Sequence, residues 1–301
     1  HGIGRDSMDI GILVATTART GAIDAIARAV EDGGYESLWI PEHPVIPVGF
    51  KTPVPGGGTL PEHYGRWVDP FVALSIAAAV TKRIKLATGI CLLPEREPLI
   101  TAKAVASLDL YSGGRVVLGV GAGWLREETE AMGANFGSRW KRLRETVEAM
   151  RVLWTDPEPS YKGELVHFPA LRCEPKPLQK PYPPILLGGH GPKVLERVAR
   201  TYDGWMPLVP NPESLKRDVT MLKKLAADQG RKAGTLHITA LVDPHESGPS
   251  LDDLKKYAEA GASRVVLFSQ RMAIAIADGA AIESIKRFEP VVERAQKVAV
   301  G

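Results

Sequence analysis

Glu42 and His43 stand together in the stretch WIPEH, directly after an apolar run. A carboxylate beside an imidazole can move a proton or orient a substrate, because imidazole exchanges protons near neutral pH. The plain alternative is a solvated pair in a loop. Gly188, Gly189 and Gly191 crowd ILLGGHGPKV, between an apolar run and a helical pattern. Glycine loses the most conformational freedom on folding, so such crowding needs a reason. With Pro192 at the first helical position and His190 and Lys193 beside it, the stretch suits an anion, typically a phosphate, on the free amides of a helix start. A merely tight strand-to-helix turn is the other reading. The stretch is not a P-loop, because Val194 follows Lys193 where Ser or Thr is required.

A second cluster, GVGAGW, holds Gly121, Ala122 and Gly123. It reads GxGxG rather than GxGxxG and lies in mid-chain, which argues against a dinucleotide fingerprint. Either a ligand approaches the backbone closely there, or a helix packs on the turn. In TGICLLPEREP, Gly89 and Ile90 fall within a strand pattern, the signature of a bulge or of close backbone approach. Arg139, Arg142 and Glu145 follow at helical spacing in SRWKRLRETVE, and surface ion pairs explain them most simply. The chain has no Ser–His–Asp elbow and no HExxH pair, and no metal is expected.

The elements that must position these residues alternate along the chain. Apolar runs DIGILVA, SLWI, IKLATGI, RVVLGVG, PILLGG, GWMPL, LHITALV and SRVVLF are each followed by a helical pattern. Asp69 and Pro70 read as N-cap and first residue of one helix. Trp140, Leu143, Val147, Met150 and Trp154 share a face of another, over about 138–154. Eight strand–helix pairs predict a (β/α)8 TIM barrel, with a doubly wound sheet as the alternative. The strands lack strict alternation, as parallel strands buried on both faces should. Two connections are too long for plain turns. Pro41 to Asp69 follows the second strand, where barrels build active sites. Asp156 to Pro184 precedes the fifth and contains a hairpin pattern, YKGELVHF.

The bulk numbers bound the partners. The chain has 301 residues, a formal charge of +3 and two cysteines, Cys91 and Cys173, in no metal-type spacing. With no basic block and no membrane-length apolar run, neither nucleic acid nor a membrane is an expected partner. A reduced, cytoplasmic protein is the expectation. Residues 1–7 read as an expression scar with Met8 as the native start, leaving a single domain over 8–301.

Several segments together resemble the luciferase-like monooxygenase superfamily, in particular its coenzyme F420 (deazaflavin)-dependent oxidoreductase branch. They are SLWIPEH, LATGICLLPEREPLITAKAVASLDLYSGGRVVLGVGAGW, RWKRLRETVEAMRVLW and PPILLGGHGPKVLERVARTYDGW, and LDLYSGGRVVLGVGAGW is the most specific. The resemblance implies a bacterial luciferase-like barrel with F420, or alternatively FMN, at its mouth. It implies that the turn after the fifth strand holds the cofactor phosphate, that a non-prolyl cis peptide sits at Gly89–Ile90, and that Glu42 and His43 lie near the ring. The sugar-phosphate dehydrogenases of this branch carry Glu where this chain has Trp124, so a sugar-phosphate substrate is not expected. The resulting expectation is hydride transfer between deazaflavin and a small organic substrate, with Glu42 and His43 as catalytic residues and a homodimer as the assembly. The close rival is an FMN-dependent monooxygenase fed by a separate reductase. Rivals of another class are a barrel hydrolase, which would need Glu42 to face Glu95 or Glu127, and a cofactor-binding protein without catalysis.

Overall fold

The alternating runs become strands and helices in the order the sequence predicts. The computed structural model describes residues 7–245, 247–268 and 280–300; six of the seven residues read as an expression scar lie outside the described residues. The strands are β1 (Asp9–Leu13), β2 (Ser37–Ile40), β3 (Lys85–Leu92), β4 (Val116–Gly121), β5 (Tyr161–Lys162), β6 (His167–Phe168), β7 (Ile185–Gly188), β8 (Gly204–Met206), β9 (His237–Val242) and β10 (Arg264–Leu267). The helices are α1 (Ile23–Asp32), α2 (Pro70–Val80), α3 (Pro98–Ser112), α4 (Arg126–Ala131), α5 (Arg139–Thr155), α6 (Pro192–Thr201), α7 (Pro212–Asp228), α8 (Leu251–Glu259) and α9 (Ala281–Ala295). Eight strands close in the cyclic order β1-β2-β3-β4-β7-β8-β9-β10, all paired in parallel, which excludes the doubly wound sheet.

Two apolar layers explain why the strands read without alternation. Inside the barrel, Leu13, Trp39, Ala87, Val117, Leu186, Met206, Leu241 and Val266 form one buried cluster. The other strand faces, such as Ile12, Leu38, Leu118 and Val265, pack beneath the helices. A Cβ on Gly11 would lie 2.7 Å from Trp39 Nε1, so glycine there makes room for the indole that plugs the interior. Asp69 caps α2 as read, accepting from the amides of Phe71 at 2.8 Å and Val72 at 3.0 Å.

The segment Asp156 to Pro184 forms the predicted hairpin, with Tyr161 opposite Phe168. It is tied down by Glu145, whose buried carboxylate accepts from the amides of Leu165 at 2.7 Å and Val166 at 3.1 Å. Further along, Gln179 bonds the buried Asp109 and the Val116 carbonyl at the start of β4. Surface ion pairing is therefore not the role of Arg139 and Arg142, while Glu145 adds a 3.7 Å contact with Arg144 to its loop hydrogen bonds. Arg139 donates to the Gly123 and Phe136 carbonyls and Arg142 to that of Pro94. Loops packed on a helix present unpaired carbonyls and amides, and charged side chains of that helix satisfy them.

Candidate active site

β2 stops at Ile40 and the chain turns through Pro41, which leaves Glu42 and His43 at the C-terminal mouth of the barrel. Beside them β3 is irregular. Its register against β4 shifts between Thr88 and Cys91, and the Gly89–Ile90 peptide is cis. Ile90 then lies against β4 and β7. A Cβ on Gly121 would fall 2.0 Å from Ile90 Cδ1, and one on Gly188 3.2 Å from it. Glycine at those two positions is therefore explained by the seating of Ile90. Gly189 differs: its φ of 118° is the requirement, and the Trp205 indole donates to its carbonyl at 2.9 Å.

These strand ends enclose a cavity of about 320 Å³ with a mostly apolar, aromatic wall. Glu42, His43, Gly89, Ile90, Gly121, Ala122, Gly123, Gly188, Gly189 and His190 all line it. Gly191 and Lys193 do not. Gly191 is the N-cap of α6 and supplies no side-chain cap, and Lys193 faces a neighbouring groove. Sequence reasoning missed the aromatic and apolar contributors Tyr64, Trp67, Trp140, Met206, Leu241 and Phe268.

His43 is 8% exposed, and its Nδ1 lies 2.6 Å from Oε2 of Glu128, which is fully buried. An ionised carboxylate only accepts, so Nδ1 carries the hydrogen and Nε2 is left to exchange a proton. The imidazole is held among Tyr64, Trp67 and Trp124, at 5.6, 5.3 and 5.9 Å between ring centres. Helix α4 also holds the loop in which His43 lies. Glu128 Oε1 accepts from the Val45 amide at 3.4 Å, and Glu127 accepts from the amides of Lys51 and Thr52 and from the Thr52 hydroxyl. Glu128 is buried with Thr129 beside it and Leu125 three residues before it, a pattern too short to be read from the sequence.

Glu42, expected to orient substrate or move a proton, lines the cavity and is also held by its neighbours. One oxygen accepts from the Leu92 amide at 2.7 Å, and the other from the Arg96 guanidinium, with Nε at 2.7 Å. Arg96 also reaches Asp69 at 2.6 Å and lies over the Phe71 ring. Glu42 is thus a strut that ties the end of β2 to β3 and α2. These bonds fix the bulge in place.

Glu95 is a second buried carboxyl, 4% exposed, just behind Gly123. It accepts from the Thr129 hydroxyl at 2.8 Å, while Oε2 is buried without a partner. Burial, reinforced by the charge of Glu128, pushes its pKa up to about 8. Glu95 is therefore mainly neutral at pH 7. With Glu42 bound to Arg96, Glu95 buried and Glu127 on the loop amides, no two of these carboxylates face one another across the cavity. The hydrolase arrangement is absent among the described residues. So is any group of three or more His, Cys, Asp or Glu placed to hold a metal ion. No described helix is long and apolar enough to cross a membrane.

Comparison with known proteins fits this geometry. The model of the family described as luciferase-like monooxygenase matches residues 8–247. An uncharacterized protein of Mycobacterium tuberculosis is 39% identical over 263 residues, covering 86% of this chain and 91% of its own. The coenzyme F420 dependent tetrahydromethanopterin reductase from Methanopyrus kandleri has the same fold, with a TM-score of 0.68 and 19% identity over 94% of this chain and 99% of that one. So has the oxygenating constituent of 3,6-diketocamphane monooxygenase from Pseudomonas putida, solved with FMN, with a TM-score of 0.71 and 15% identity over 98% of this chain and 100% of that one.

Proposed function

The chain belongs to the luciferase-like monooxygenase family, and from that premise we propose that it is a coenzyme F420-dependent oxidoreductase acting on a small organic substrate. The observation that carries the proposal is the His43–Glu128 pair, buried in the aromatic wall of a cavity at the barrel mouth. The residues present fit a flat ring with a phosphate tail. Gly89, Ile90 and Met206 offer a smooth apolar floor, and the uncapped α6 start beside Gly189 and His190 offers amides and a dipole to the phosphate. A bound deazaflavin supplies hydride chemistry. The chain's own part is position and the proton. Glu128 fixes the His43 tautomer, and His43 Nε2 exchanges a proton with the substrate oxygen. Trp67, Trp124 and Tyr64 exclude water from that exchange.

A second reading, FMN-dependent oxygenation with reduced flavin from a separate reductase, draws on the FMN-bound relative of the same fold. The proton role is tested by His43→Ala and Glu128→Gln, with a screen of small alcohols and ketones as the turnover assay. Turnover should fall about 10²–10⁴-fold in the first and roughly 10–100-fold in the second, as loss of a charge-assisted hydrogen bond implies. Cofactor affinity should stay within about twofold of native. A fully active His43→Ala protein would remove His43 from the chemistry.

A further inference from the structure

A second concavity, of about 500 Å³, lies between α5 and α6 and adjoins the mouth: Trp140 lines both. Its lining carries Lys141, Arg144, Lys193, Arg197 and Arg200 against a single acid, Glu196. Two of these cations are already matched. Lys141 pairs with Glu164, and Arg144 lies 3.7 Å from Glu145 and 3.8 Å from Glu148. Among the described residues Lys193 and Arg200 have no carboxylate partner. Arg197 is fixed without one, its guanidinium 4.2 Å from the Trp140 ring centre and donating to the Lys193 carbonyl at 3.1 Å. At the mouth end, Arg139 donates to the Gly123 carbonyl at 3.2 Å. Burial, then the charges of Arg126 and Arg197, pull the Arg139 pKa below its usual value. Arg139, bonded to the mouth residue Gly123, thus lies within the field of Arg197, which lines the groove. Lys193, Arg197 and Arg200 are thus left with Glu196 as the one acid of the lining, and an anionic ligand offsets their mutual repulsion.

We propose that this groove receives the anionic tail of the coenzyme whose ring occupies the mouth, a tail bearing several carboxylates or phosphates beyond the first phosphate. The proposal rests on the deazaflavin reading above and extends it to the choice of coenzyme. A flavin that ends at one phosphate can use the α6 turn but leaves the groove bare. A longer polyanion engages Lys193, Arg197 and Arg200 as well. Individual exposed ion pairs contribute little, but three such contacts on one ligand amount to roughly tenfold in affinity.

The test is a set of binding titrations at low ionic strength. The probes are coenzyme F420 with its oligoglutamate tail, the same coenzyme without glutamates, and FMN. The native protein should bind the tailed form about tenfold more tightly than the tailless form. In the double variant Lys193→Gln/Arg200→Gln that ratio should fall to near one, and added salt should reduce it in the native protein. Both replaced side chains are exposed, so the fold is expected to persist. Equal affinity for the two F420 forms in the native protein, or a ratio that persists in the variant, overturns the groove assignment and leaves the deazaflavin reading standing. Binding of FMN alone overturns both.

Discussion

Replacing Glu95 by Gln should stabilise the protein in a pH-dependent way. Glu95 has a pKa of about 8 in the folded chain against an ordinary value of 4.5. Because the folded pKa is raised, the folded state binds more protons than the unfolded state between these values, and stability falls as pH rises across that window. The favourable contribution of the neutral carboxyl is fully present below pH 4.5 and is gone once pH has passed through about 8. At 1.36 kcal/mol per pH unit, the loss accumulated by pH 7 is about 3 kcal/mol. Glutamine cannot ionise and can still accept from the Thr129 hydroxyl. The two proteins should therefore unfold alike near pH 4.5. At pH 7 the Glu95→Gln protein should melt about 4–6 °C higher, the shift that about 3 kcal/mol produces in a chain of this size, and the gap should be wider at pH 8. Melting curves of both proteins at pH 4.5, 6, 7 and 8 provide the assay. A difference in Tm that is constant with pH, or a variant that melts lower at pH 8, would refute the reasoning. It would mean that Glu95 is charged and satisfied in the fold.

Two further perturbations follow from the same geometry. Gly189→Val forces a β-branched side chain onto a φ of 118° beside the α6 start; cofactor should bind at least about tenfold more weakly, roughly 1.4 kcal/mol by titration. Arg96→Leu leaves the buried Glu42 carboxylate without its counter-charge; chemical denaturation should show a loss of about 3–5 kcal/mol, whereas an unchanged midpoint would deny Glu42 its role as a strut.

The barrel was legible because its strands are short, continuous apolar runs followed by helical patterns, and α2, α3, α7 and α8 begin at capping residues. Asp69 and Pro70 marked the start of α2, and YKGELVHF marked the hairpin. The glycine runs also led to the mouth, although two of them serve Ile90 rather than a ligand directly. What the sequence did not reveal depends on contacts between distant segments. Glu42 and Arg96 lie 54 positions apart and His43 and Glu128 lie 85 apart, so no local spacing could show that one carboxylate is held in an ion pair while the other holds the imidazole. The short helix α4, six residues long, fell below the length at which periodicity is readable, and it carries Glu128. Tyr64 and Trp67 come from the long loop after β2, where no pattern constrains direction.

The central claim is that the mouth cavity takes the deazaflavin coenzyme. Parallel titrations of the purified protein with coenzyme F420 and with FMN, followed by absorbance and by quenching of the cofactor's fluorescence, test it most directly. The account predicts saturable binding of F420 at one site per chain, tighter than FMN and weakened by Gly189→Val. Tighter binding of FMN, in its oxidised or reduced form, would contradict the account and make the protein an FMN-dependent monooxygenase.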